Sequence, residues 1–406
     1  MSALLRQRLP PTASLGAGLF RQFSASRDIS VSRGSKLVQI HIRPTASPHL
    51  KPAALISRSG ATLVPSNDPS PRELPPAVYV PPTTGILSYL PSSWVPYAEL
   101  ARIEKPTGTV YLWFPTIWST FMAASMTTPL APVTGAIYTS ALFTTGALIM
   151  RGAGCTINDL WDQNIDDKVT RTRFRPLARR AITPTNAVLF AGVQCLAGLA
   201  VLLQFPMEVI VAGIPSMILV STYPGMKRIT NYPQAVLGAA FGWGTMLGFP
   251  AMGISLMEPT VATTAACLFL SNVAWTVLYD TIYALQDIKD DKKIGVKSTA
   301  IANEGRTKVF LSALGIAQVS LLAGAGYISG LGPIYFAWSC GGTALANTWM
   351  IRRLNIKDPA DCSRWFKWCA WTVGGVAVSG GLMAEYGYRK LYEKDDEGEI
   401  VDDVIA

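Results

Sequence analysis

The chain has 406 residues, half of them apolar and only 15% charged, with a mean hydropathy of +0.29 and a formal charge of +9. A soluble globular protein carries about 25% charged residues, and it has no use for repeated apolar stretches of about 20 residues, each long enough to cross a ~30 Å hydrocarbon layer. Composition therefore largely rules out soluble folds, and the basic residues, which sit in short loops between apolar runs, read as topology determinants and not as a nucleic-acid footprint. Histidine occurs only at His41 and His49, ahead of the first run, so catalysis within the membrane domain calls for carboxylates. The cysteines at 155, 195, 267, 340, 362 and 369 form no C-x-x-C pair and read as small packing residues.

In chain order, residues 1–40 contain Arg6, Arg8, Arg21, Arg27 and Arg33, many serines and one acid, Asp28. This is the basic, acid-poor composition of a mitochondrial transit peptide, with a processing site expected after Phe23. Residues 41–94 are rich in Pro and Ser without apolar period and are expected to form a disordered linker. A membrane domain over 95–387 and an acidic, solvated tail over 388–406 complete the division.

Nine apolar runs are predicted as membrane helices at about 109–127, 132–151, 187–204, 207–222, 234–254, 260–279, 309–329, 332–350 and 366–385. The segment leading into the first run and the loops after the second, fourth, sixth and eighth hold 22 Lys and Arg, whereas the loops after the first, third, fifth and seventh hold none. Such alternation puts the N-terminus and the basic loops on one side, the matrix side for an inner-membrane protein, and the C-terminal tail on the other.

The unusual acids are on the basic side. Asn158, Asp162 and Asp166 recur every four residues at the end of the second run, with Asp159 on the flank. At the end of the sixth run Asp280, Tyr283, Asp287 and Asp291 fall on one face of a continued helix. Like charges four residues apart repel, so two such helix ends at a membrane boundary require compensation, and oxygen-only ligands select a hard divalent ion such as Mg²⁺. Solvated helix ends paired with loop Lys and Arg are the bland alternative, which the doubling of the motif disfavours. Arg171, Arg173, Arg175, Arg179 and Arg180 follow the first motif, Tyr223 to Arg228 follow the fourth run, and Lys292 and Lys293 follow the second motif, a mixture of charges suited to a diphosphate. Arg151 stands seven residues before Asn158, on the acidic face and about two turns deeper.

At these residues the sequence resembles the UbiA superfamily of intramembrane prenyltransferases, and within it the branch that prenylates 4-hydroxybenzoate in ubiquinone synthesis. The likeness covers about 95–385 and rests on Leu100 to Gly108, Arg151 to Asp159, Arg173 to Leu177, Tyr223-Pro224 with Met226 to Thr230, and Tyr279 to Thr299. At Ala178-Arg179-Arg180 the family often has a small residue and a glycine, which puts the conformation of that loop in question. The resemblance implies an all-α fold of nine transmembrane helices around a central cavity open to lipid. It further implies Mg²⁺ on Asn158, Asp159, Asp162, Asp166, Asp287 and Asp291, catalysis by Asp162, Asp166, Asp287, Asp291 and Arg228, and a diphosphate held by Lys227, Arg228, Tyr223 and Arg173. For the acceptor it implies Arg151 or Arg102 with Asp280 and Tyr283. A polyprenyl diphosphate, 4-hydroxybenzoate, the bilayer and other ubiquinone-synthesis enzymes are the implied partners, and nucleic acid is not. Haem farnesyltransferase and a carboxylate-based transporter remain as alternatives; the former departs from the paired Asn158-Asp159-x-x-Asp162 pattern, and the latter would carry its acids near mid-span.

The loop asymmetry generates a topology test. Protease added to intact mitoplasts is expected to clip the C-terminal tail and spare the basic loop at 286–308; cleavage in that loop would reverse the orientation.

Overall fold

The computed structural model describes residues 78–164, 166–168, 172–295 and 297–393. The expected transit peptide, residues 41–77 of the expected linker and residues 394–406 of the tail lie outside them. The described residues are helical without a β-strand.

A short helix α1 (Val95–Leu100) precedes the long helices α2 (Thr107–Ala124), α3 (Val133–Asp162), α4 (Pro184–Leu202), α5 (Met207–Ile229), α6 (Pro233–Gly242), α7 (Gly244–Ala251) and α8 (Pro259–Ala284). Two short helices, α9 (Ile288–Ile294) and α10 (Thr299–Ala302), lead to α11 (Thr307–Ile328), α12 (Pro333–Tyr335), α13 (Gly342–Arg353), α14 (Pro359–Cys369) and α15 (Gly380–Leu391). Proline opens many of them because its missing N–H falls where a helix has no partner for it. Thr183-Pro184 and Asp358-Pro359 add side-chain caps, to Asn186 N and Ala360 N.

Among the described residues each apolar run falls on a helix or a chain of consecutive helices, and α3, α4, α8 and α11 are by themselves long and apolar enough to cross a membrane. The fifth run breaks at Trp243, whose indole N–H reaches back to the Ala212 carbonyl of α5 at 2.7 Å. The eighth and ninth contain π-helical stretches, Phe336–Gly341 and Ala370–Ser379. These two stretches are tied together by the Trp338 N–H on the Val376 carbonyl and the Ser339 hydroxyl on the Val378 carbonyl.

The helices divide into a packed centre and a lipid-facing periphery. Tyr111, Trp118 and Met122 of α2, with Trp275, Leu278 and Ile282 of α8, are buried, while Leu189, Val193 and Leu196 of α4 and Met217 and Ile218 of α5 are exposed. In hydrocarbon, helices associate through small residues and buried hydrogen bonds and not through apolar burial alone. Gly248 lies so close to α2 that an added Cβ would stand 2.4 Å from Thr120 N, and Ser119 Oγ both donates to Gly244 O and accepts from Gly248 N. Trp118 Nε1 likewise donates to Gly374 O and Ser379 Oγ.

Two sequence boundaries move. The stretch expected as linker contributes residues 78–94 to the fold, with a 3-10 turn at Ile86–Tyr89 and a Tyr79 side chain bonded to Glu99. The expected tail begins as helix: Glu385 accepts from Gly332 N and Arg389 Nε, and Glu393 accepts from Leu130 N, so charges through residue 393 staple loops at that end. Both departures have one cause. The contacts are made by single side chains, which leave no apolar period to read.

Candidate active site at the ends of α3 and α8

The helix carrying the first acidic motif stops at Asp162, and Asp166 sits in a separate 3-10 turn, Asp166–Lys168. The expected four-residue face therefore holds for Asn158 and Asp162 and fails for Asp166, which folds back on its own loop: its carbonyl accepts from Thr172 Oγ1 at 3.0 Å. The second motif is interrupted similarly. Helix α8 ends at Ala284, Asp287 takes the N-cap position of α9 without a capping bond, and Asp291 stands one turn on; Asp280 and Asp287 thus belong to different helices. Nothing in the periodicity marks these stops, because no Pro or Gly stands at either of them.

Asn158 is exposed, Asp162, Asp287 and Asp291 are half-buried, and Asp159 and Asp166 are buried. Asp159, 1% exposed, is held by arginines: Arg102 Nη2 donates to both its oxygens at 2.7 and 2.8 Å, and Arg175 Nη1 approaches to 3.2 Å. The same Arg175 nitrogen donates to Asp166 Oδ2 at 2.8 Å. One guanidinium thus bridges two buried carboxylates that would otherwise repel. Arg102 takes a left-handed backbone, φ 58°, and also donates to Glu99 O, so it is committed to the motif itself. Of the two arginines expected at the acceptor, the structure engages Arg102 elsewhere.

Arg151 has a different setting. Its guanidinium lies flat on α2, where a Cβ added at Gly108 would come within 2.8 Å of its central carbon, and its buried Nε has no hydrogen-bond partner. Tyr223 of α5 and Tyr279 of α8 both lie within electrostatic reach of Arg151 and of Asp280, which brings α3, α5 and α8 to one locus; Tyr283 also acts on Tyr223. Behind them stands an aromatic wall that the sequence reading missed. Tyr111 stacks on Tyr279 at 3.6 Å and donates to Phe366 O, and Tyr283 packs on Phe366 at 4.8 Å. The i, i+4 pair Tyr279 and Tyr283 was visible as a signal; Tyr111 and Phe366, far off in sequence, were not. Arg173 stacks on Phe174, while Lys227 and Arg228 occupy the last turn of α5. Two clefts of about 500 Å³ lie at the opposite end of the bundle, beside Ser125, Glu258 and Arg389 and beside Pro132 and Gly253, away from the acids.

Among the described residues, no three His, Cys, Asp or Glu side chains gather as a ready metal cage. The donor set still suits Mg²⁺, which binds through one or two carboxylates together with substrate phosphates and retained water, in preference to an all-protein cage.

Residues 112–372 match the UbiA prenyltransferase family. The chain belongs to that family. Among its relatives, the Saccharomyces cerevisiae protein named mitochondrial 4-hydroxybenzoate polyprenyltransferase is 44% identical over 282 residues, covering 69% of this chain and 74% of the yeast protein. The Drosophila melanogaster protein of the same name is 46% identical with 69% of each chain covered, and that of Bos taurus 38% identical over 376 residues, 91% of this chain and 93% of the bovine one. The fold is that of a UbiA homologue from Aeropyrum pernix K1, at 20% identity and a TM-score of 0.55 over 70% of this chain and 98% of that one. A solved digeranylgeranylglyceryl phosphate synthase gives 18% identity and a TM-score of 0.51, covering 72% and 100%. Within the Ala178-Arg179-Arg180 loop, Arg180 takes a left-handed φ of 61°, a conformation that costs a non-glycine residue about 1–2 kcal/mol.

Asp159 differs from the half-buried aspartates in being held by two arginines. Asp159→Ala strands Arg102 and Arg175 and is expected to cost on the order of 3 kcal/mol, read as a lower melting temperature in detergent. Asp287→Ala, at a half-buried helix start, should cost far less. Equal losses at the two positions would contradict this difference.

Proposed function

We propose that this chain transfers a polyprenyl group from an all-trans polyprenyl diphosphate to the ring carbon ortho to the hydroxyl of 4-hydroxybenzoate, giving 3-polyprenyl-4-hydroxybenzoate and diphosphate for ubiquinone synthesis. The observation that carries this reading is likeness to relatives bearing that name over most of both chains, the bovine one nearly end to end. We place the protein in the mitochondrial inner membrane with its acid motifs toward the matrix; the loop asymmetry and the mitochondrial relatives support this.

Asp162, Asp287 and Asp291, assisted by Asn158 and by Asp166 through the oxygen that Arg175 leaves, would hold Mg²⁺. When bound, the ion neutralises charge that accumulates on the departing diphosphate. Lys227, Arg228, Arg173 and Tyr223 bind the same diphosphate. The allylic C–O bond breaks with its electron pair leaving on the diphosphate, and the allylic carbon becomes cationic. Tyr279, Tyr283 and Phe366 offer π faces to that cation and keep water from it. The ring carbon attacks, a C–C bond forms, and loss of the ring proton restores aromaticity. Arg151 holds the acceptor carboxylate, with Asp280 and Tyr283 beside it. Its guanidinium lies deeper than the acids on the same helix, and a cation there needs an anionic partner. The apolar helices enclose the long tail from the lipid side. Acids at the ends of α3 and α8, and not at mid-span, agree with this chemistry over a transporter's.

Membranes containing the protein, given radiolabelled 4-hydroxybenzoate, a polyprenyl diphosphate and Mg²⁺, should convert the label to a lipid-extractable form. Asp287→Ala should abolish conversion; near-normal turnover at saturating Mg²⁺ would sink the assignment. In the same assay Arg151→Met should raise KM for hydroxybenzoate about 10- to 150-fold, the worth of one charge-assisted hydrogen bond, and leave KM for the diphosphate unchanged.

A further inference from the structure

Arg179 lies in the Ala178-Arg179-Arg180 departure from the family pattern and among the loop cations expected near a diphosphate. In the structure Arg179 closes a network of three segments. Glu99 of α1 is 8% exposed and uses both carboxylate oxygens: Oε1 accepts from the Tyr79 hydroxyl at 2.6 Å and Oε2 from Arg179 Nη2 at 2.6 Å. Arg179 lies over the Tyr79 ring at 3.8 Å and donates its other terminal nitrogen to Phe174 O at 2.6 Å. Each member therefore touches both of the others. Burial and the bond to Glu99 push the Tyr79 hydroxyl up to about 12, so it remains a donor at any physiological pH.

The network ends on the first acidic motif by two routes. Arg179 N donates to Arg175 O within the same loop, and Arg175 bridges Asp159 and Asp166. The Glu99 carbonyl accepts from Arg102 Nη1, and Arg102 grips Asp159. A small apolar cluster of Leu100, Leu177, Ile182 and Ala187 also joins α1 to the loop. A charge-assisted bond, here part-buried, is directional where apolar contact is not.

We propose that Glu99 is a positioning residue for the diphosphate end of the site: through Arg179 and Tyr79 it holds the 172–181 loop, and with it Arg173 and Arg175, over the acids of α3. The proposal rests on the reading of the site given above. It also assigns a role to chain ahead of the first long helix, since Tyr79 lies 20 residues before Glu99.

The test combines substrate kinetics with proteolysis of the purified full-length protein. Glu99→Gln and Arg179→Met should each raise KM for the polyprenyl diphosphate about tenfold, the lower worth of a charge-assisted bond, while KM for hydroxybenzoate stays within about twofold. The double variant should be no worse than the poorer single one, as coupled partners require. Trypsin should cut faster among Arg173 to Arg180 in both variants. Tyr79→Phe removes one hydroxyl and should show the same KM pattern at smaller size, which keeps the test open if Glu99→Gln does not fold. Additive effects, equal shifts in both KM values, or lower thermal stability with unchanged KM would overturn the proposal. Failure of the wild-type protein to convert its substrates, with trypsin still distinguishing the variants, would refute the functional reading and leave the positioning role standing.

Discussion

The constraint from which the rest of the structure follows is that of holding several carboxylates at the edge of a hydrocarbon layer. Asp159 and Asp166 are buried, and buried ions persist only when opposite charge and hydrogen bonds compensate them. Arg175 stands between them, Arg102 covers the other side of Asp159, and both arginines are aimed from loops outside the spanning helices. The loops are therefore part of the site and not mere connections. Asp162, Asp287 and Asp291 are half-buried, in contrast to Asp159 and Asp166, and carboxylates of that exposure are open to a hard divalent ion that keeps some of its water and binds together with substrate phosphates.

Much of this was legible in the sequence, for reasons that differ from feature to feature. Runs of about 20 apolar residues have one stable solution in lipid, the helix, so the helical elements followed from composition. The doubled Asp spacing and the Lys and Arg asymmetry point to one end of the bundle, where the structure places the Asp159, Asp166, Arg102 and Arg175 cluster. What could not be read was pairing across the chain. Arg102 and Asp159 are 57 positions apart and Glu99 and Arg179 are 80 apart, and no local pattern records such contacts. Periodicity also misled at two places, because it extended α3 through Asp166 and α8 through Asp287, whereas both helices end sooner. The stops spread the acids over a 3-10 turn and a second short helix. The breaks at Trp243 and in the two π-helical stretches were hidden similarly, since they arise from interhelical contacts of Trp243, Trp338 and Ser339.

Glycine has a particular part in the site. At Gly108 the absent side chain lets the Arg151 guanidinium lie against α2, and any Cβ there would displace it. Gly108, named in the sequence only as the end of the Leu100 to Gly108 motif, is in space the surface on which the Arg151 side chain packs. Similar close approach at Gly248 brings α7 onto α2, so small residues set both the helix spacing and the position of the charge.

Under the proposed function, the half-buried aspartates of the two motifs would complete a metal site only when a diphosphate is present. This is tested most directly by electron paramagnetic resonance of Mn²⁺ with the purified protein, using inorganic pyrophosphate as the ligand. Tight Mn²⁺ binding that requires pyrophosphate and is lost in both Asp162→Asn and Asp287→Asn is expected. Binding that is unchanged in both variants, or that is equally tight without pyrophosphate, would contradict that reading.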